Sequence, residues 1–245
     1  MIEVPFVEIS TTRLIRQRIE MARATGENVA ITGAAGVGKS WALQHYAQES
    51  GVAYLFSIEA ALGRSAGTLF ALVAETLGAS RGINPSDTLR GVKRRLREYF
   101  YDAMIVLIFD EAQNIKLETL RDLLTLTDDP QPCVTIVFSG NEHVLKVVNA
   151  AKGGFEQIGR RIQYRLTISG VTHADADLVA DVFGVTDKPC LRLLRAVSET
   201  AHIAGVVTIL KLARQLAGDG KPIELAHLRD AVEVFPQHRP ALAKH

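Results

Sequence analysis

One short segment near the N-terminus constrains the fold of this chain more than any other. Residues 33–40 read G-A-A-G-V-G-K-S and match the phosphate-binding pattern G-x-x-x-x-G-K-[ST]. Glycines let the backbone curl so that successive N–H groups point at phosphate oxygens, which side chains would block. The apolar residues 29–32 predict a strand before the loop, and a helix predicted from residue 39 turns its positive end toward the phosphates. The segment therefore predicts a strand–loop–helix unit that binds a nucleoside triphosphate.

The predicted nucleotide-binding residues are the whole loop and the residue after it. Lys39 is expected to reach the β- and γ-phosphates, and the Ser40 hydroxyl is expected to ligate Mg²⁺. Trp41 follows in the helix, where packing is expected rather than stacking on a base. The set is Gly33, Ala34, Ala35, Gly36, Val37, Gly38, Lys39, Ser40 and Trp41. The expected cofactors are therefore ATP and Mg²⁺.

An acidic pair follows the longest apolar run of the chain, residues 103–109. A strand that ends in acidic residues places their carboxylates at the carboxyl edge of a sheet, where ligands of open α/β sheets bind. Asp110 is expected to hold the Mg²⁺, mostly through water, and Glu111 to act as general base on the attacking water. The pair predicts hydrolysis of ATP to ADP and phosphate. An ordinary strand exit followed by a solvated helix cap is the alternative.

Apolar strands alternate with helical patterns over the first 170 residues. Strands are predicted at residues 29–32, 52–58, 104–109, 133–139 and 163–168. This alternation predicts an α/β fold with a five-stranded parallel sheet of the P-loop NTPase type. After residue 170 only helical patterns follow, at residues 173–183, 188–204, 206–216 and 225–234. We expect a P-loop core with an N-terminal arm and helix at residues 1–170, and a small all-helical lid domain at residues 171–245.

Polar residues near the fourth and fifth strands are further candidates for the catalytic site. In ATPases with a Glu beside the magnesium Asp, the fourth strand lies between the other two, so Asn141 at its end would position the water. Arg160 and Arg161 precede the fifth strand, and a guanidinium from a neighbouring subunit often stabilises the γ-phosphate, with Arg161 preferred here. Arg192 starts a helix of the lid and could reach the nucleotide. A turn residue for Asn141 and surface positions for the arginines are the alternatives.

A basic helix, which Ser86 can cap at its start, is the candidate DNA contact. Residues 90–97 read R-G-V-K-R-R-L-R, and helical spacing puts the apolar residues on one face and the basic residues on the other. Such a face can follow a phosphate backbone without sequence preference, although charged helix faces are commonly only solvated. The loop at residues 61–64 is a second candidate. The predicted DNA contacts are Arg90, Lys93, Arg94, Arg97 and Arg64.

Composition excludes several classes of protein. The 245 residues carry a formal net charge of +1, so nucleic-acid binding must come from local patches. Residues 103–109 form a run far shorter than the about 20 residues that span a membrane, and the N-terminus lacks a signal-peptide pattern. Cys133 and Cys190 have no metal-ligand spacing and are expected to be reduced thiols. We expect a cytoplasmic protein without membrane association.

The two motifs together resemble a known family. Residues 36–40 with the sequence D-E-A-Q-N at residues 110–114 resemble the AAA+ ATPases of the transposition-helper group, and within it the phage Mu B type of target-selection protein. The tail at residues 191–195 and 220–228 resembles the helical lid of that family, so the likeness covers about residues 8–235. The resemblance implies an ATPase that forms helical filaments on duplex DNA when ATP is bound, captures target DNA and stimulates a transposase. Its expected partners are duplex DNA, a transposase and further copies of itself.

Two other functions are open at this point. A related group with the same D-E-A-Q sequence serves secretion systems, so the alternative is an ATP-driven protein-interaction switch that does not bind DNA. A small-molecule kinase with the same loop is a third reading. Glu111 suits a water nucleophile better than a substrate hydroxyl, and no separate substrate lid is recognisable in the sequence.

Overall fold

The computed structural model describes residues 5–63, 65–99, 104–128, 134–144, 156–218 and 220–244. Contacts divide the chain into two compact units. The first, the sheet unit, comprises Ile15–Gly33 and Ser40–Thr167. The second, the helical unit, comprises Ile168–His245, Ala34–Lys39 and the N-terminal residues up to Leu14. The phosphate-binding loop therefore makes most of its contacts with the helical unit, although it is continuous with a strand of the sheet.

Five strands form one sheet in the order β2-β3-β4-β1-β5. Their bounds are Val29–Gly33 (β1), Ala53–Ser57 (β2), Ile105–Asp110 (β3), Val134–Gly140 (β4) and Tyr164–Ile168 (β5). The pairs β2–β3, β3–β4 and β4–β1 are parallel. β1, β3 and β4 are buried along their whole length, which is why they read as continuous apolar runs in the sequence. The predicted α/β fold class is confirmed, and the fourth strand lies between the first and the third.

Helices cover the sheet and build the second unit. Their bounds are Ser10–Thr25 (α1), Lys39–Ser50 (α2), Ala60–Gly63 (α3), Ala66–Thr76 (α4), Pro85–Tyr99 (α5), Leu117–Leu124 (α6), Glu156–Arg161 (α7), His173–Val182 (α8), Lys188–Ala217 (α9) and Leu225–Val234 (α10). Short 3₁₀ turns occupy Ala112–Asn114, Thr125–Thr127 and Pro236–Lys244. The first and last of these turns were not predicted from the sequence.

A row of three phenylalanines anchors the strand ends next to the acidic pair. Phe56, Phe109 and Phe138 are register partners on β2, β3 and β4, and their rings stack with centroids 5.1 and 5.7 Å apart. All three are buried. Aromatic pairs of this kind contribute about 0.5–1.5 kcal/mol each beyond the area they bury. The stack therefore holds the end of β3 firmly at the position where Asp110 leaves the core.

The helical unit is tied together by a buried carboxylate. Asp175 accepts hydrogen bonds from the N–H and hydroxyl of Ser10, both at 2.6 Å, and from the N–H and hydroxyl of Thr172, both at 2.8 Å. Burial alone would raise the pKa of Asp175, but the donors from Ser10 and Thr172 outweigh it and lower the pKa. The carboxylate thus caps α8 and fixes the start of α1.

Two local predictions were wrong, and a third was displaced by a few residues. The loop expected just before residue 65 is helical at Ala60–Gly63. The helix α5 is capped by Asn84, whose side chain accepts from the N–H of Asp87, and not by Ser86. The change of helix predicted between residues 204 and 206 is present, but the break in the backbone of α9 falls at His202.

The helix α9 is the one described helix that is long and apolar enough to cross a membrane by length and composition. More than half of its most apolar window is buried inside the protein. The break at His202 leaves residues 188–201 and 203–217 on either side, each shorter than the about 20 residues that a membrane span needs. Its apolar character is therefore explained by packing in the helical unit.

Candidate active site

The phosphate-binding loop has the backbone shape that its glycines predict. β1 ends at Gly33 and α2 begins at Lys39, with Gly36 and Gly38 in the left-handed region at φ +83° and +95°. Side chains other than glycine rarely adopt these angles, so the pattern of glycines is a requirement of the turn. The Lys39 ammonium donates to the carbonyl of Ala34 at 2.9 Å. The lysine is therefore folded back over the loop, where a bound phosphate would meet it.

The tip of this loop packs against the break in α9. His202 has φ +54° and ψ −157°, which interrupts the helix and leaves the amides of the next turn without helical partners. One of these amides, that of Ala204, donates to the carbonyl of Gly36 at 3.1 Å. A Cβ added at Gly36 would lie 3.2 Å from the Cβ of Ala204 and 3.3 Å from the carbonyl oxygen of Ala201. Glycine is thus needed at position 36 for both its φ and its close approach, a contact that the sequence did not reveal.

Asp110 ends β3 as a buried carboxylate with an unsatisfied oxygen. Its side chain is 3% exposed, and its Oδ1 has no hydrogen-bond partner within the described part of the chain. The hydroxyl of Ser139, near the end of the neighbouring β4, is also buried without a partner there. Buried polar groups are normally hydrogen-bonded or bound to an ion, and a carboxylate with a hydroxyl suits a hard cation. The Asp110 carboxylate therefore fits Mg²⁺, and Ser40, at the start of α2, stays the second ligand predicted from the sequence.

Glu111 is the first residue beyond the core, and its backbone is left-handed at φ +55°. Its exposed carboxylate accepts a hydrogen bond from the side-chain amide of Gln113. The other end of that amide, Oε1, accepts from the backbone N–H of Asn141 at 3.2 Å. Glu111 and Asn141 are therefore joined through Gln113 at the carboxyl edge of the sheet. No role was predicted for Gln113, although it stands in the D-E-A-Q sequence.

Asn141 lies directly after β4, where it was expected. Its side-chain oxygen accepts from the N–H of His143 at 2.9 Å, and its carbonyl accepts from the N–H of Val144 at 3.1 Å. The side-chain oxygen therefore caps the turn that leaves the strand. Its role in placing a water molecule stays a prediction.

The two arginines before β5 lie at the opposite edge of the sheet from the acidic pair. Arg160 and Arg161 end α7, just before β5 begins. Arg161 forms an ion pair with Asp128 at 2.9 Å, and its carbonyl accepts from the side chain of Asn28 at 2.8 Å. A strand the length of β1 separates the two edges by about 16 Å. Action of Arg161 on a nucleotide of its own chain would therefore require a large displacement.

Arg192 lies on α9 in the helical unit and is exposed. With Lys188, Leu191 and Arg195 it lines a cavity of about 300 Å³. Its neighbour Arg195 is held by both carboxylate oxygens of Asp177, at 2.8 and 2.6 Å. Arg192 therefore belongs to a basic stretch of the lid, and its contact with a nucleotide stays a prediction.

The basic helix has the two faces that its sequence predicts. Leu89, Val92 and Leu96 are buried on the inner face of α5. On the outer face Arg90, Arg94 and Arg97 are exposed and Lys93 is half-buried. Arg90 pairs with Asp87, and Arg94 donates to the hydroxyl of Ser80 at 3.0 Å. These pairs are at the surface and weak, so a phosphate backbone can displace them. Arg64 lies outside the described residues.

Cys190 and Trp41 are the remaining residues considered in the sequence. Cys190 is buried, and burial together with the nearby carboxylate of Asp187 raises its pKa to about 11. It is therefore protonated and unreactive at neutral pH. Cys133 lies outside the described residues. Trp41 is half-buried on α2.

The strand order, the loop after β1 and the acidic pair after β3 define a P-loop nucleoside triphosphatase of the AAA+ type. The model of the AAA domain family matches residues 22–148, and the chain belongs to that family. It is 26% identical over 216 residues to the Mu-like prophage FluMu DNA transposition protein B of Haemophilus influenzae, a match that covers 84% of this chain and 72% of that protein. The resemblance to the B type of transposition protein is therefore confirmed.

Solved structures agree on the fold. The Aeropyrum pernix ORC2 protein with ADPNP and ADP matches with a TM-score of 0.65 at 16% identity, over 91% of this chain and 66% of that one. The CDC6P protein of Pyrobaculum aerophilum matches with a TM-score of 0.68 at 16% identity, over 95% of this chain and 69% of that one. The A. pernix ORC1 protein in complex with DNA matches with 0.65 at 16% identity, over 93% and 66%. The chain thus spans about two thirds of each of these proteins, and at this identity the likeness shows the fold alone.

Proposed function

We propose that this protein is an ATP-dependent, non-sequence-specific DNA-binding ATPase that assembles on DNA, selects a target site and activates a transposase. The observation that carries this proposal is the similarity to a DNA transposition protein B over 84% of the chain. Two other observations support it. The donor set at Asp110 fits the magnesium of a nucleotide, and α5 presents exposed guanidinium groups on one face.

The chemical step follows from the residues at the carboxyl edge of the sheet. The loop amides and Lys39 bind the phosphates, and Glu111 takes a proton from water as its oxygen attacks the γ-phosphorus. The bond from the γ-phosphorus to the β,γ-bridging oxygen breaks, and ADP leaves with that oxygen. Ser40 and Asp110 would hold Mg²⁺, which neutralises charge on the β- and γ-phosphates when bound. Asn141 is proposed to position the water, and Arg161, with Arg160 beside it, to act on a neighbouring subunit's nucleotide.

Two substitutions separate binding from hydrolysis. Lys39→Ala should lose nucleotide binding, because the phosphates then lack their main cation. Glu111→Gln should bind ATP with near-normal affinity and hydrolyse it at least a hundredfold more slowly, roughly the contribution of a general base. Filter binding and phosphate release measure the two effects. Normal turnover in Glu111→Gln would remove Glu111 from the mechanism.

DNA binding is tested on the outer face of α5. Charge reversal at Arg90, Arg94 and Arg97 should abolish binding to random-sequence duplex DNA in the presence of an ATP analogue. Arg16→Glu on α1 is the matched control, since Arg16 is a half-exposed arginine in a surface pair with Glu49. The wild type should bind more tightly with ATP analogue than with ADP, and more weakly as salt rises. Binding equal in both nucleotide states, or none in either, favours the protein-interaction switch.

Assembly is tested by imaging. Electron microscopy of the protein with duplex DNA and an ATP analogue should show filaments that disappear with ADP. Only isolated particles under both conditions would contradict assembly on DNA.

A further inference from the structure

The side chain of Gln113 connects the predicted general base to the end of the neighbouring strand. Its Nε2 donates to the Glu111 carboxylate, and its Oε1 accepts from the N–H of Asn141 at 3.2 Å. The two contacts use both ends of one planar amide, so the orientation of the amide is set from both sides. The bridge spans 28 positions in sequence between Gln113 and Asn141.

The strand end leaves room for this amide only because residue 140 is glycine. A Cβ built at Gly140 would lie 2.1 Å from Oε1 of Gln113 and 2.8 Å from Cγ2 of Val144. The first distance is far below any real carbon–oxygen contact, so any larger residue at position 140 would expel the amide. Position 140 must therefore be glycine for the Gln113 amide to keep its two hydrogen bonds.

The backbone conformation of Glu111 is strained and needs stabilising contacts. Glu111 is one of two described residues other than glycine with a positive φ, here +55°. This conformation costs a side-chain-bearing residue roughly 1–2 kcal/mol, so the turn after β3 needs fixed partners to persist. The N–H of Asn114 donates to the Glu111 carbonyl at 3.0 Å, which closes the turn and directs residue 113 back toward Glu111.

We propose that Gln113 is a positioning residue for hydrolysis: it holds the Glu111 carboxylate against the end of β4, in reach of the water that attacks the γ-phosphate. The proposal rests on the proposed ATPase function and on Glu111 as its base. Gln113 itself touches neither water nor nucleotide in this role. Its loss therefore slows the chemical step and leaves nucleotide binding unchanged.

Steady-state ATP hydrolysis by the full chain tests the proposal. Gln113→Ala should lower kcat about ten- to a hundredfold, the cost of a misplaced catalytic group, with KM for ATP within about twofold of wild type. Gln113→Glu keeps the shape but faces Glu111 with a second carboxylate, so kcat should fall at least as far. Thr76→Ala at the end of α4 is the control: it removes a side chain that donates to a backbone carbonyl, that of Leu72 at 2.9 Å, outside the proposed site, and its kcat should stay within about twofold.

A double-substitution cycle separates the bridge from general disturbance of the strand. Gly140→Ala should lower kcat as Gln113→Ala does. The kcat of the double variant should lie within about twofold of the kcat of each single variant, because both substitutions remove the same bridge. Wild-type kcat in Gln113→Ala or Gln113→Glu overturns the proposal, as do additive losses in the cycle. If the wild-type chain does not hydrolyse ATP, the proposed function itself fails; if Glu111→Gln hydrolyses ATP normally, Glu111 is not the base of the reaction. If only Glu111→Gln is inactive, the positioning role alone is wrong.

Discussion

Gly36→Ala tests the link between the shape of the phosphate-binding loop and nucleotide affinity. At φ +83° an alanine costs roughly 1–2 kcal/mol, and its Cβ would lie 3.2 Å from the Cβ of Ala204. The Gly36 carbonyl at the loop tip accepts a hydrogen bond from the N–H of Ala204, and such a bond contributes only about 1 kcal/mol. The backbone strain of the alanine therefore matches or exceeds the contribution of this hydrogen bond. In the nucleotide-free variant we expect the loop to leave this conformation. ATP must then restore it, and affinity should fall about 5- to 30-fold.

The assay is the Kd of a fluorescent ATP analogue, measured together with thermal unfolding. Gly51→Ala is the matched control, because Gly51 also has a positive φ, +64°, but its Cβ would meet no heavy atom within 4 Å. Both variants should lose comparable stability, whereas only Gly36→Ala should lose affinity. An affinity equal to wild type in Gly36→Ala would refute the argument that binding requires this loop shape.

Three further predictions concern the supports of the two units. Asp175→Asn should lower the free energy of unfolding by about 1.5–3 kcal/mol at pH 7, since hydrogen bonds to a charged group are lost. Because folding lowers the pKa of Asp175, this difference should be full above its ordinary value of 3.8 and shrink as the pH falls through the folded-state value, which urea titrations at several pH values can follow. Asn28→Ala should cost about 2–4 kcal/mol in the same titration, because the amide N–H of Ile136 and the carbonyl of Arg161 would lose their partner in the core. Arg161→Ala mixed with Glu111→Gln should hydrolyse ATP faster than either alone if Arg161 acts on a neighbour's nucleotide; no recovery on mixing would count against it.

The strands and the nucleotide motif could be read from the sequence because their signals are local. Burial on both faces gives β1, β3 and β4 continuous apolar runs, and each predicted strand lies within one or two residues of an observed one. The insertion of β4 between β1 and β3 was also expected, which places Asp110 and Asn141 at one edge. The cap of α5 was missed since Ser86 and Asn84 are both capping residues two positions apart.

The break in α9 could not be predicted from periodicity. Apolar residues continue on one face through both halves, and the sequence suggested only a change of helix near residue 205. His202 is held at a positive φ where the Gly36 carbonyl receives the amide of Ala204. That arrangement depends on a loop more than 160 positions away, which local patterns do not report.

The phosphate-binding site shows which features the sequence determines and which only the tertiary structure determines. The sequence by itself determined the phosphate-binding pattern at residues 33–40 and the acidic pair at the end of β3, and it predicted a magnesium ligand and a base there, because this chemistry needs particular residue types at short, regular spacings. Only the tertiary structure decided what holds these groups in place: Ala204 at Gly36, and Gln113 between Glu111 and the end of β4. Such contacts join distant positions and depend on how elements meet in space, so no spacing along the chain encodes them.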